Sequence, residues 1–312
     1  MTQEEIHDLN LKSGMLQSWN QLCFNKNAIF EVSASLPGTS DIGGFWPGVW
    51  TMGNLGRAAY GGTTEGEYFV CMQTRCELTT RDMAVRLSSR PRRMKLTARY
   101  TYTSCDVGTL ANQTWPNGTS PDAAISTGAD GDVLSYLPGQ RLSACTCPGE
   151  DHPGPDVSVG RSAPEIDLIE AQILLSVKHG EVSQSFQVAP FDDYYQFDNS
   201  SGSAEVYDAD MTHFNSYRGG YFQQSVSSLT LLPDRIYYDQ VTGGRSKEFT
   251  TISFEYAAFP EEREKGYIHW VTDGKPAWTM YADAVGPNPR TEIGRRIVSE
   301  EPMYMASHLL LV

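Results

Sequence analysis

No apolar run in the 312-residue chain approaches the roughly 18 residues that cross a bilayer as a helix. The start, Met1-Thr2-Gln3-Glu4-Glu5, lacks the regions of a signal peptide. Helical periodicity is weak everywhere. The six histidines are scattered, and the one-residue gap between Cys145 and Cys147 is not zinc-knuckle spacing, so no metal and no cofactor is expected. Basic residues are scarce beside acids, 24 Lys and Arg against 38 Asp and Glu, for a formal charge of -14. That balance disfavours a general phosphate-binding surface, and no nucleic-acid partner is expected.

The chain does have strands and loops. Hydrophobic content of 40% and charged content of 20% describe a globular protein, of a length at which one β-sandwich is common. Strand patterns run over Ile29–Ser35, Ala171–Val177, Tyr221–Leu232, Phe249–Tyr256 and Tyr267–Val271. From about Gly108 to Ala163 the chain is rich in Gly, Pro, Asp, Ser and Thr and reads as functional loops. An antiparallel all-β class follows.

Three glycosylation sequons begin at Asn112, Asn117 and Asn199. With Cys23, Cys71, Cys76, Cys105, Cys145 and Cys147 they favour an oxidising compartment. Disulfide pairing cannot be read from the spacing. Between about 67 and 99, eight Lys and Arg face three acids, which leaves the rest of the chain at -19. The segment reads either as a basic arm for an acidic partner or as an insertion without selected structure, and is expected to be poorly ordered.

Pro164–Ala171 places Glu165, Asp167 and Glu170 in a run that otherwise reads as buried strand. Burying an unpaired carboxylate is very costly, so such residues have a partner or a task. In an ideal strand Glu165 and Asp167 share a face and Glu170 points away. A β-bulge between Asp167 and Glu170 would turn all three to one side. Two carboxyls about 5–5.5 Å apart suit retaining glycoside hydrolysis, with the middle one raising the acid's pKa while the nucleophile stays ionised. The alternatives are a calcium site or an exposed acidic strand edge. Trp46, Trp50, Trp115 and Trp270 are candidate sugar platforms, about half of them expected in a cleft and the rest in the core.

Glu165–Glu170 resembles the bulged signature of glycoside hydrolase family 16, the laminarinase-like proteins. Ser13–Asn20, Phe45–Arg57, Ser104–Thr109, Cys145–Pro155 and Glu301–Tyr304 are similar to the fungal Kre6/Skn1 branch, associated with β-1,6-glucan synthesis. The resemblance implies a concanavalin A-like jelly roll in one domain spanning 1–312. It assigns Glu165 as nucleophile, Glu170 as acid/base and Asp167 as their assistant. It implies β-glucan chains as partners, wall-synthesis membrane proteins as further ones, and a secretory or cell-surface location behind a single membrane anchor.

The resemblance passes from Gly66 almost directly to Tyr100, so the basic segment reads as an insertion carrying Cys71 and Cys76. The family domain also extends past both ends, and a sandwich missing strands is expected here. A glucan-binding scaffold of the secretory pathway without turnover is the rival reading.

Overall fold

The computed structural model describes residues 13–19, 21–53, 113–114, 118–135, 164–220, 223–238, 248–300 and 302–311. The basic segment 67–99, Trp115, Asn112, Asn117 and every cysteine except Cys23 lie outside the described residues.

The first strands among the described residues are β1 (Met15–Gln17), β2 (Asn27–Ala34), β3 (Leu36–Pro37) and β4 (Phe45–Gly53). A one-turn helix, α1 (Asp122–Ser126), precedes β5 (Glu165–Leu174) and β6 (His179–Val188). Three short strands follow, β7 (Ala204–Val206), β8 (Thr212–Phe214) and β9 (Gly219–Gly220). The rest are β10 (Gln223–Leu231), β11 (Tyr237–Tyr238), β12 (Thr250–Ala257), β13 (Tyr267–Thr272), β14 (Lys275–Tyr281) and β15 (Met303–Leu311).

These strands form two antiparallel sheets. The larger runs β1-β15-β4-β5-β6-β10-β8, with β9 beside β10, and the smaller runs β2-β12-β13-β14-β7. A two-residue parallel pairing of β3 with β11 is the exception. Among the described residues the sheets do not close on each other; β1, β8, β2 and β7 are their edges.

Local chemistry explains the pattern. Along β13 exposure alternates, turning Ile268, Trp270 and Thr272 inward. Asp273 and Gly274 then reverse the chain with φ of 53° and 72°, a two-residue turn whose twist matches the strands it joins. The strand expected to run to Val177 stops at Leu174, because the return into β6 needs a turn that exposes Leu175 and Val177.

The inner faces share one core. Ile166, Leu168, Val182 and Phe186 of the larger sheet meet Ile252, Phe254, Ile268 and Met280 of the smaller. Each such side chain contributes about 1.5–3 kcal/mol by leaving water. Within this core the indoles of Trp270 and Trp278 stack, with centroids 4.3 Å apart and planes 1° from parallel. The outer faces of the central strands β5 and β6 hold polar residues in a partly dry setting, with Asp167, Glu181, Ser185 and Gln187 buried there.

Candidate active site

On β5, three steps from Asp167 to Glu170 are matched by only two steps on β6, from Ser185 to Ser183. Against β4, Asp167 pairs with Trp50 and Ile169 with Val49, so Leu168 is the extra residue. This is a β-bulge. Its signature in the packing is that Leu168 and Ile169, adjacent in sequence, both enter the core beside Ile166. Glu165, Asp167 and Glu170 are thereby left together on the outer face. They stand opposite Gln187, Ser185 and Ser183 of β6, respectively.

The row is poorly hydrated. Asp167 is buried, while Glu165 and Glu170 are partly exposed. Ser185 Oγ and Gln187 Nε2 donate to Asp167 Oδ2, the latter at 3.2 Å, and Gln187 Nε2 also reaches Ser185 Oγ at 3.2 Å. Burial pushes the Asp167 carboxyl up to about 6, against the opposing pull of those donors and of Glu165. Glu165 is pushed well above the usual range by burial, then by the charges of Asp167 and Glu170, and by its hydrogen bond to Asp167. Glu170 is raised by burial and then by the Asp167 charge, with Ser185 opposing. Both outer carboxyls are therefore pushed up, where the sequence reading held one of them ionised. Like charges in one dry row cannot all persist, so the row retains protons at pH values where isolated carboxyls have lost them.

The tryptophans divide by face. Trp46 is exposed at 39% and shares the carboxylate face with Gly48 and Trp50. Trp50, opposite Asp167, is only 5% exposed and packs with Met52, Tyr304, Ala306 and Trp19 as an apolar flank to the row. Trp270, a candidate sugar platform by sequence, is instead wholly buried between the sheets, because its position on β13 points inward. Its Nε1–H donates to the Asp167 main-chain carbonyl at 2.9 Å, so it supports the bulge from beneath.

Tyr217 was missed by sequence reasoning. It lies in the loop between β8 and β9 and is exposed as a whole, while partial desolvation of its phenol and then the Glu170 charge raise the phenol pKa. No periodic pattern marks a loop tyrosine. Asn199 is exposed in a loop. Among the described residues no group of three or more His, Cys, Asp or Glu is arranged to hold a metal ion.

The family described as beta-glucan synthesis-associated protein SKN1/KRE6/Sbg1 matches residues 1–81 and 96–311. The chain belongs to the SKN1/KRE6 family. The unmatched residues 82–95 fall within the basic segment. It is 38% identical over 297 residues to the beta-glucan synthesis-associated protein SKN1 of Candida albicans, covering 95% of this chain and 32% of that protein. It is likewise 38% identical over 303 residues to KRE6 of Saccharomyces cerevisiae, covering 97% of this chain and 34% of that protein. The chain thus spans about a third of the length of the curated family members it matches. Superposition on the catalytic domain of an endo-1,3-beta-glucanase (laminarinase) from Thermotoga petrophila covers 95% of this chain and 57% of that one. Its TM-score is 0.33 at 12% identity.

Proposed function

We propose that the carboxylate face is the site of a retaining β-glucan-active glycosidase or transglycosylase of fungal wall assembly, serving β-1,6-glucan formation. The observation that carries this reading is the bulge at Leu168, which turns Glu165, Asp167 and Glu170 to one face. Family membership supports the substrate class. On this reading the two stacked sheets are a concanavalin A-like jelly roll of the glycoside hydrolase family 16 type.

Glu165 attacks the anomeric carbon as Glu170 gives its proton to the departing glycosidic oxygen, leaving a covalent glycosyl ester on Glu165. Glu170, now ionised, takes a proton from water or from a sugar hydroxyl, which attacks the ester and restores Glu165. The raised pKa of Glu170 keeps the acid charged with its proton. Asp167, held by Ser185 and Gln187, accepts a hydrogen bond from protonated Glu165 in the resting row, and Glu165 attacks once that proton has left to solvent. Trp46 and Tyr217 are the exposed aromatics offered to sugar rings. The setting is the secretory pathway or cell surface, with glucan chains and wall-synthesis membrane proteins as partners and an anchor elsewhere in full-length family members. Among the described residues no helix is long and apolar enough to cross a membrane.

The test incubates the chain and its Glu165→Gln variant with β-1,3- and β-1,6-gluco-oligosaccharides and resolves the products by mass. Shorter products from wild type alone support hydrolysis, and longer ones support transfer. Equal products from both proteins would remove Glu165 as nucleophile. Binding without products would favour the scaffold reading.

A further inference from the structure

His308 on β15 faces Gly48 of β4, whose other cross-strand partner is Glu170. A Cβ on Gly48 would lie 2.6 Å from His308 Cε1 and 2.9 Å from Nε2, so only glycine admits the imidazole over this point of the sheet. The next outward-facing residue of β4, Trp50, donates its Nε1–H to His308 Nδ1 at 2.9 Å. The two rings meet edge to face, with centroids 6.0 Å apart and planes at 72°. Trp50 is itself the cross-strand partner of Asp167. Histidine, tryptophan and two carboxylates thus form one contiguous patch across β15, β4 and β5.

Indole N–H is a donor only, so Nδ1 must be the unprotonated nitrogen and the ring proton sits on Nε2. We propose that His308 is a positioning residue of the carboxylate site, which in its neutral form locks Trp50 beside Asp167 and fills the space above Gly48 next to Glu170. This rests on the reading of the row as a glycosyl-transfer site. Protonation of the ring puts a second donor opposite the indole N–H, and the bond is lost. The groups facing His308 are Met15 from β1, Gly48 and Trp50 from β4, and one strand further Asp167 and Glu170 from β5. Neither β1 nor β4 therefore presents a charge to it, and burial holds its pKa below the ordinary 6.5.

The test uses the full chain labelled with ¹⁵N at its indoles, the Trp50 resonance being assigned by its loss in Trp50→Phe. In wild type that resonance should lie downfield at about pH 7.5 and move upfield toward about pH 4.5, with a midpoint below about 6.5. His308→Gln, whose side-chain carbonyl accepts in place of Nδ1, should hold it downfield throughout. His308→Leu should place it upfield at every pH and lower kcat about tenfold or more with little change in KM, as displaced groups outside the reacting atoms do. His308→Gln should restore kcat. A wild-type resonance that ignores pH, or one that titrates identically in His308→Gln, overturns the proposal. If wild type converts no glucan yet its Trp50 resonance follows His308, the pairing stands and the catalytic reading falls.

Discussion

Trp270 Nε1 donates to the main-chain oxygen of Asp167 at 2.9 Å, tying the centre of the hydrophobic core to the bulge that arranges the outer carboxylates. The bulge removes one residue from the regular ladder, and a carbonyl near it needs a replacement donor. Trp270 supplies that donor from the opposing sheet, held by its stack on Trp278.

Replacing Trp270 by Phe should therefore cost about 2–4 kcal/mol, from the lost volume and from the carbonyl left without its donor. Trp278 lies in the same stack, but its Nε1 has no hydrogen-bond partner. Trp278→Phe loses volume without stranding an acceptor and should cost less. Urea unfolding compares the two variants. Turnover should fall with Trp270→Phe by a larger factor than with Trp278→Phe, because only the first changes the support under Asp167. Equal loss of activity at equal loss of stability would show that the bond does not position the row.

The carboxylate row also sets a sign for the dependence of stability on pH. Asp167 is raised from 3.8 to about 6, so the folded chain holds a proton that the unfolded chain has released. Its contribution is complete below about pH 4 and is lost as pH rises through about 6. Glu165 and Glu170 are raised in the same direction and extend the decline further. For Asp167 alone, the rise from 3.8 to about 6 corresponds to about 3 kcal/mol. Asp167→Asn should flatten the decline and leave the variant at least as stable as wild type at neutral pH, while activity falls. Unfolding free energies across this pH range measure the slope, and a wild-type stability that climbs from about pH 4 to 7 would contradict the assignment.

Strands β2 and β13 are legible because alternation survives where one face meets the core, while β10 and β12, buried over most of their length, are legible as runs of strand-forming residues between turns. The three carboxylates stood out because acids are costly inside an apolar strand. The tryptophans were less legible. Whether an indole meets the core or the cleft is decided by residue parity, and one bulge reverses that parity for everything beyond it. Trp270 and Trp50 are both buried, yet they lie on opposite sides of the larger sheet. The Trp50–His308 pair joins residues 258 positions apart, and local patterning carries no trace of it. Tyr217 is placed by a loop whose course depends on β8 and β10.

Exposure separates Trp46 and Tyr217, proposed to face sugar, from the buried Trp50 and Trp270. Trp46 and Tyr217 are exposed at 39% and 58% and contribute little to the core. Trp46→Ala and Tyr217→Ala should each weaken gluco-oligosaccharide binding by about 0.5–1.5 kcal/mol, the worth of an aromatic contact beyond burial. Their stability should stay within about 0.5 kcal/mol of wild type. Calorimetric titration with the oligosaccharide, beside thermal unfolding, gives both quantities. Unchanged affinity in both variants would place the sugar elsewhere.

Small anions can distinguish the two outer carboxylates. On the proposed roles Glu165→Ala removes the attacking group and Glu170→Ala the proton donor, so each should lower turnover by at least about a hundredfold. In Glu170→Ala the ester on Glu165 still forms with a substrate whose leaving group needs no proton. Azide, an anion that needs no general base, can then attack it and release a glycosyl azide of retained configuration. In Glu165→Ala azide can enter the vacated space and attack the substrate once, while Glu170 protonates the leaving group. One displacement instead of two gives the inverted azide. NMR of the anomeric proton identifies which product forms. Retained azide from Glu170→Ala and inverted azide from Glu165→Ala are the expected pair, and the opposite pairing would exchange the roles of the two residues on either side of the bulge.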